Sequence, residues 1–200
     1  MRPKVMTIGG IEMAILILGL VVFLGIHSVR IFADGWRTAQ IEARGETRWK
    51  GLYTGFSILG LALLVYGFGL AREDADILYV PPEWGRSFLM VAMPIALVLL
   101  VASQLPMGVL KKRLVHPMLW SIVIWALGHL FANGDTASVL MFGSFLVWAL
   151  LDLKSAYGRP RGEIPAPKIW ADFAALAIGF ALTAILVMFL HQYLFGVPIV

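Results

Sequence analysis

The chain is written in long apolar runs separated by short charged ones. A helix needs about 20 mostly apolar residues to cross the hydrocarbon core of a bilayer. Six stretches meet that requirement, at 9–31, 50–71, 86–106, 114–132, 136–152 and 169–193. The fifth, bounded by Asp135 and Asp152, lies near the lower limit of about 17 residues. The pattern therefore predicts an all-α fold, a polytopic membrane helix bundle with about six transmembrane helices. The intervening segments are short, so successive helices are expected to be antiparallel neighbours in one bundle, and no linker long enough for a second domain is visible. No internal repeat is found. The first apolar run is too long for a signal-peptide core and lacks a small-residue cleavage site after it, so it is expected to stay as a helix of the mature protein.

Composition agrees with this reading. Of 200 residues, 60% are hydrophobic, and the mean hydropathy is +0.86, where ordinary globular domains are about half apolar. There is no cysteine, which excludes disulfides, thiolate metal sites, Fe–S clusters and cysteine nucleophiles.

Charge adds an orientation. With six spans, both termini share one side with the even loops. The odd loops carry Arg30, Arg37, Arg44, Arg48 and Lys50, then Lys111, Lys112 and Arg113, then Lys154, Arg159, Arg161 and Lys168. The other side carries only Arg2, Lys4, Arg72 and Arg86, which makes the ratio twelve to four. The positive-inside rule puts the odd loops in the cytoplasm and both termini in the periplasm, in an inner (cell) membrane. The net charge of +4 follows from these flanking cations, and nucleic acid is not an expected partner, because no soluble basic face exists. The bilayer is the expected partner. The loop from Ala33 to Tyr53 alternates charges with Trp36, Ile41, Trp49 and Tyr53, as an interfacial amphipathic segment does. In "YVPPEWG", Pro81 and Pro82 predict an outer turn.

The candidate chemistry lies in the four histidines. His27, His116, His129 and His191 are the only ones in the chain, and all sit in or at the edge of an apolar run. Ionisable groups in such runs tend to face the bundle interior and mark function; the alternative is a neutral imidazole bonded to a neighbouring helix. At 1.5 Å of rise per residue, His129 lies roughly 20 Å deeper than His116. The two point about 140° apart on one helix, so they cannot bind one metal together. Depth sorts the four into an inner pair, His27 with His116, and an outer pair, His129 with His191. A metal or haem iron between helices suits neutral imidazoles in a core with few carboxylates. A zinc site would want a third close donor, which is not spaced for it.

Long ordered blocks carry a resemblance: "GLVVFLGIHSVRIF", "WRTAQIEARGETRWKGLYTGFSILGLALLVYGFGLAR", "HPMLWSIVIWALGHLFANGD" and "GSFLVWALLD". They resemble NnrU-family membrane proteins over almost the whole chain, 1–200, as one transmembrane domain. That family is related to the 15-cis-zeta-carotene isomerases, which share a first-span His-Ser and a His-Pro with a further histidine 13 residues on. The resemblance implies an integral-membrane haem b protein whose histidines ligate iron, with His27 and His129 at the matched positions and His116 and His191 as alternates. It implies cis-trans isomerisation of a carotenoid, a hydrophobic polyene, as the most concrete activity. NnrU proteins are themselves associated with denitrification, so a non-catalytic accessory role in nitrite and nitric oxide reduction is the alternative; a small b-type electron-transfer cytochrome is a third reading. Gly25 and Gly128, each within two residues of a matched histidine, would let a flat macrocycle approach the backbone, or else serve close helix packing. Asn133, Gly134 and Asp135 are expected to make a turn, with Asp135 supporting a histidine N–H as the lesser reading. Glu12 is expected to be interfacial.

Overall fold

The computed structural model describes residues 9–160 and 162–195; Arg2, Lys4 and Arg161 of the charge count lie outside them. Among the described residues every regular element is helical. α1 (Gly9–Phe32), α2 (Asp34–Arg44) and α3 (Glu46–Ala71) are followed by α4 (Gly85–Gln104), α5 (Val109–Leu114), α6 (Pro117–Ala132), α7 (Thr136–Tyr157) and α8 (Ile169–Ile185); a π-helical turn, Leu186–Leu190, leads into α9 (His191–Phe195). Five stretches, α1, α3, α4, α7 and Ile169–Tyr193, are long and apolar enough to cross a membrane, and α6 is a shorter apolar helix. All six apolar runs are thus helical, and the protein is a multi-pass membrane protein.

Several boundaries differ from the hydropathy reading. The fifth run is not the short one: α7 has 22 residues and passes through Asp152. Arg159 Nη2 donates to the Asp152 carboxylate at 3.0 Å and to Ser155 Oγ at 2.8 Å, so the charge expected to end the span is paired instead. The short helix is α6, with 16 residues; His116 is its N-cap and Pro117 opens its first turn, where a missing N–H costs nothing. Residues 114–116 therefore precede the fourth span. The third stops at Gln104, because Leu105 is extended before Pro106.

The chain divides into two compact units, residues 1–79 with 135–144 and residues 80–134 with 145–200. In the first, α1 packs along α3. Lipid gives little hydrophobic reward for helix association, so close backbone approach must supply it. Glycines provide that approach: a Cβ at Gly67 would lie 2.5 Å from the Leu16 nitrogen, and one at Gly19 2.6 Å from the Leu64 nitrogen. Leu16 and Leu64 fill the seam and are fully buried. α2 buries no residue and lies against the start of α3 as an amphipathic interfacial helix. After α3, the Asp76 carbonyl accepts the Thr136 N–H at 2.9 Å, tying the loop to the start of α7.

In the second unit α4 carries both α6 and α8 on its flanks. Small side chains make the seams: Ala92, Ala96 and Ala102 on α4, Ala126 on α6 and Ala175 on α8 are all buried. Asp172 of α8 accepts the Val109 and Leu110 N–H groups at 2.7 and 3.0 Å, satisfying orphan donors at the start of α5. Lys111 Nζ donates to the Ser103 and Leu105 carbonyls at 2.8 and 2.9 Å, doing the same for the end of α4. The large apolar side chains of α8 that face away, Phe173 and Phe180 among them, are exposed as a lipid-facing surface is.

Candidate functional site

His27 lies near the end of α1, in the first unit. A carbonyl oxygen can only accept, so its 2.7 Å bond to the Phe23 carbonyl is made by an Nδ1–H. The neutral ring then carries its lone pair on Nε2. The imidazole stacks on the Phe23 ring at 4.3 Å and meets Tyr53 of α3 at 5.1 Å. Two aromatic rings and a backbone bond thus fix its orientation.

His129 repeats this arrangement in the second unit. Its Nδ1–H donates to the Trp125 carbonyl at 2.8 Å, and its ring lies 5.3 Å from the Trp125 ring. In both cases the aromatic residue sits one helical turn earlier, so the same residue supplies the carbonyl and the ring contact. Both histidines are therefore held as the same tautomer, and a carbonyl at Nδ1 is the support that metal-ligating histidines commonly have. The signal was present in the sequence as "FLGIH" and "WALGH", an aromatic four residues before each histidine.

His191 begins α9, just after the π turn. π turns widen a helix and recur at functional positions.

His116 stands at the other end of α6. Its ring meets Tyr157 edge-on at 5.0 Å. The residue before it, Val115, has φ 64 and ψ −49, the one positive φ outside glycine among the described residues. The His116 N–H donates to the Leu114 carbonyl at 2.7 Å, which closes a three-residue γ-turn of the strained, positive-φ kind. Tyr157 braces that turn: its hydroxyl donates to the same Leu114 carbonyl at 3.0 Å and accepts the Trp120 Nε1–H at 3.2 Å. Nothing in the sequence pointed to this turn. Of the basic residues nearby, Lys111 is engaged with carbonyls while Lys112 and Arg113 are exposed.

The two glycines part company. A Cβ at Gly128 would meet Leu89 Cδ1 at 3.0 Å and Ala92 Cβ at 3.3 Å, so this glycine serves the seam between α6 and α4. Gly25 faces open space and lies about 200° around α1 from His27, on nearly the opposite side. The turn expected at Asn133–Asp135 is present: Asn133 Nδ2 donates to the His129 carbonyl at 2.9 Å, and Asp135 Oδ1 accepts the Ser138 N–H at 2.8 Å, capping α7. Glu12 stands in the first turn of α1, where a carboxylate complements the helix dipole. Its Oε2 is buried and makes no hydrogen bond among the described residues, which the interfacial expectation did not foresee. Among the described residues no three His, Asp or Glu side chains gather as a metal cage.

The sequence model of one protein family, described as NnrU protein, matches residues 15–199. No curated protein and no solved structure matches the chain.

Proposed function

The chain belongs to the NnrU family, and from that premise we propose that it binds haem b through histidine and acts as a membrane cis-trans isomerase on a hydrophobic polyene of the carotenoid class. The observation that carries the proposal is the shared frame of His27 and His129. Each has its Nδ1–H held by the carbonyl one turn earlier, which leaves the Nε2 lone pair as the iron ligand. Each histidine by itself suits the group: a neutral imidazole of fixed tautomer, with no cysteine to compete. His116 and His191 are the alternates.

When bound, the haem supplies a ferrous iron that shares electron density with the central double bond and weakens its π-character. The chain supplies the rest. Carbonyl bonds at Phe23 and Trp125 raise the basicity of the two imidazoles and stop the rings rotating. The Phe23, Tyr53 and Trp125 rings pack against them. Exposed Lys112 and Arg113 precede His116 and would offer a cationic surface to propionates if that alternate held the group. The proposed topology keeps both termini in the periplasm, with these cations on the cytoplasmic side.

The test is a reaction. Detergent-purified protein, reduced with dithionite, is incubated in the dark with a carotenoid whose central bond is cis, and the isomers are separated by chromatography. Conversion by the native chain that is lost in His27→Ala supports the proposal. A reduced, haem-loaded protein that leaves the carotenoid unchanged overturns the isomerase and favours the accessory role in nitrite and nitric oxide reduction.

A further inference from the structure

We propose that the junction of α2 and α3 is a binding site for the phosphate headgroup of an anionic phospholipid. A half-enclosed cleft of about 390 Å³ opens there, lined by Trp36, Gln40, Arg44, Arg48, Trp49 and Leu52. Its construction is legible in helix geometry. Trp36, Gln40 and Arg44 recur every four residues and form one stripe of α2, and Arg48 and Leu52 form a stripe of α3. The stripes are brought face to face at Gly45, whose φ of 86 and ψ of 150 only glycine adopts without strain.

The cations in this region divide into two sets. Arg37 pairs with Asp34 at 3.5 Å and covers the Trp49 ring, and Lys50 pairs with Glu46 at 3.0 Å. Those cations are balanced. Arg44 and Arg48 make no ion pair or hydrogen bond among the described residues, and no carboxylate lines the cleft. Two guanidinium forks in one cleft match a phosphate diester, which each can engage through paired N–H donors. Trp36 and Trp49, edge to face at 5.8 Å, stand at the side, where indoles prefer headgroup depth.

Free phosphate would satisfy the guanidiniums equally well. A lipid is favoured by what continues below them. Leu52 at the lip of the cleft is followed along α3 by Phe56 and Leu59, one and two turns on, and the three are 54%, 48% and 52% exposed. They make an apolar lane that starts at the two cations and runs down the membrane span, as a phosphate with an acyl chain requires. A zwitterionic headgroup brings its own ammonium into a site that already holds two uncompensated cations, so the occupant is anionic. The site lies on the first unit alone and is independent of the haem.

The test is native mass spectrometry of the full chain released from detergent. It is titrated with dioleoyl phosphatidylglycerol, with dioleoyl phosphatidylcholine and with inorganic phosphate. The native chain should bind phosphatidylglycerol in preference to the other two. The Arg44→Gln/Arg48→Gln double variant should bind it roughly thirtyfold more weakly, from the typical contribution of two cations at an anionic surface. Lys154→Gln/Lys168→Gln, which removes the same charge elsewhere, should match the native chain. Arg44→Lys/Arg48→Lys keeps the charge without the planar fork and should fall between, which preserves a reading should the glutamine variant fail to insert. Equal binding of the two lipids, binding of inorganic phosphate at lipid affinity, or an equal loss in the Lys154/Lys168 control would each overturn the site.

Discussion

Gly60→Ala should loosen the first unit and disturb His27 together. Gly60 lies on α3 against Phe23 of α1: a Cβ there would fall 2.7 Å from the Phe23 nitrogen, 2.8 Å from its Cα and 2.9 Å from its Cβ. Two of these are backbone atoms, so no rotamer change relieves the clash. Ordinary carbon contacts are about 3.5–4.0 Å, so the helices must part locally by roughly 1 Å. Overpacking of that order costs about 1–3 kcal/mol, against roughly 1 kcal/mol gained by alanine over glycine in a helix. The net expectation is a loss of about 0–2 kcal/mol relative to the native chain, and of about 1–3 kcal/mol relative to an alanine at a helical position where its Cβ meets nothing, at roughly 2–4 °C of Tm per kcal/mol for a chain of this length. Phe23 also supplies the carbonyl and the ring that orient His27, so haem affinity should fall in the same variant. The assay is thermal unfolding in detergent with the absorption spectrum recorded alongside. Gly55→Ala and Gly69→Ala are the controls, since a Cβ at either meets nothing within 4 Å. Gly60→Ala as stable and as coloured as the controls would refute the packing argument and its link to the histidine.

Reporter fusions after Gly45 and after Gly162 should signal cytoplasm, and one at the C-terminus should signal periplasm; a cytoplasmic C-terminus would sink the topology. Val115→Gly should raise stability by about 1 kcal/mol, because glycine tolerates the positive φ of the γ-turn; an unchanged Tm would show the turn to be unstrained. Tyr79, in the loop after α3, has its phenol pushed above the usual 10.0 by burial and by the Asp135 carboxylate. Its folded state therefore holds the proton more tightly than the unfolded one, so its contribution is complete below pH 10 and is lost as pH rises through the raised value. Asp135→Asn should lower the pH at which Tyr79 ionises, followed by ultraviolet difference absorbance against Tyr79→Phe; no shift would remove Asp135 as a cause.

Hydropathy alone located all six apolar helices, since a bilayer imposes a length and an apolar character that a sequence cannot hide. It misjudged α7 because a window sees Asp152 as a charge and cannot see Arg159 folding back onto it. It set His116 rightly at the mouth of the fourth span but began that span at residue 114, because the chain enters α6 through a γ-turn, and a β-branched valine is the last residue expected at positive φ. The histidines were legible as a set, and "FLGIH" and "WALGH" carried their shared support in plain view. The buried Glu12 oxygen and the cleft at Arg44 and Arg48 were not legible, because each depends on which charges find partners in three dimensions.

Whether the matched histidines hold iron is decided by a pyridine haemochrome count on the detergent-purified chain and on His27→Ala. The native chain should carry about one haem b, and a His27→Ala protein that still inserts into the membrane should carry none. Native protein that purifies without haem, or His27→Ala that retains it at full stoichiometry, would contradict iron ligation by these histidines.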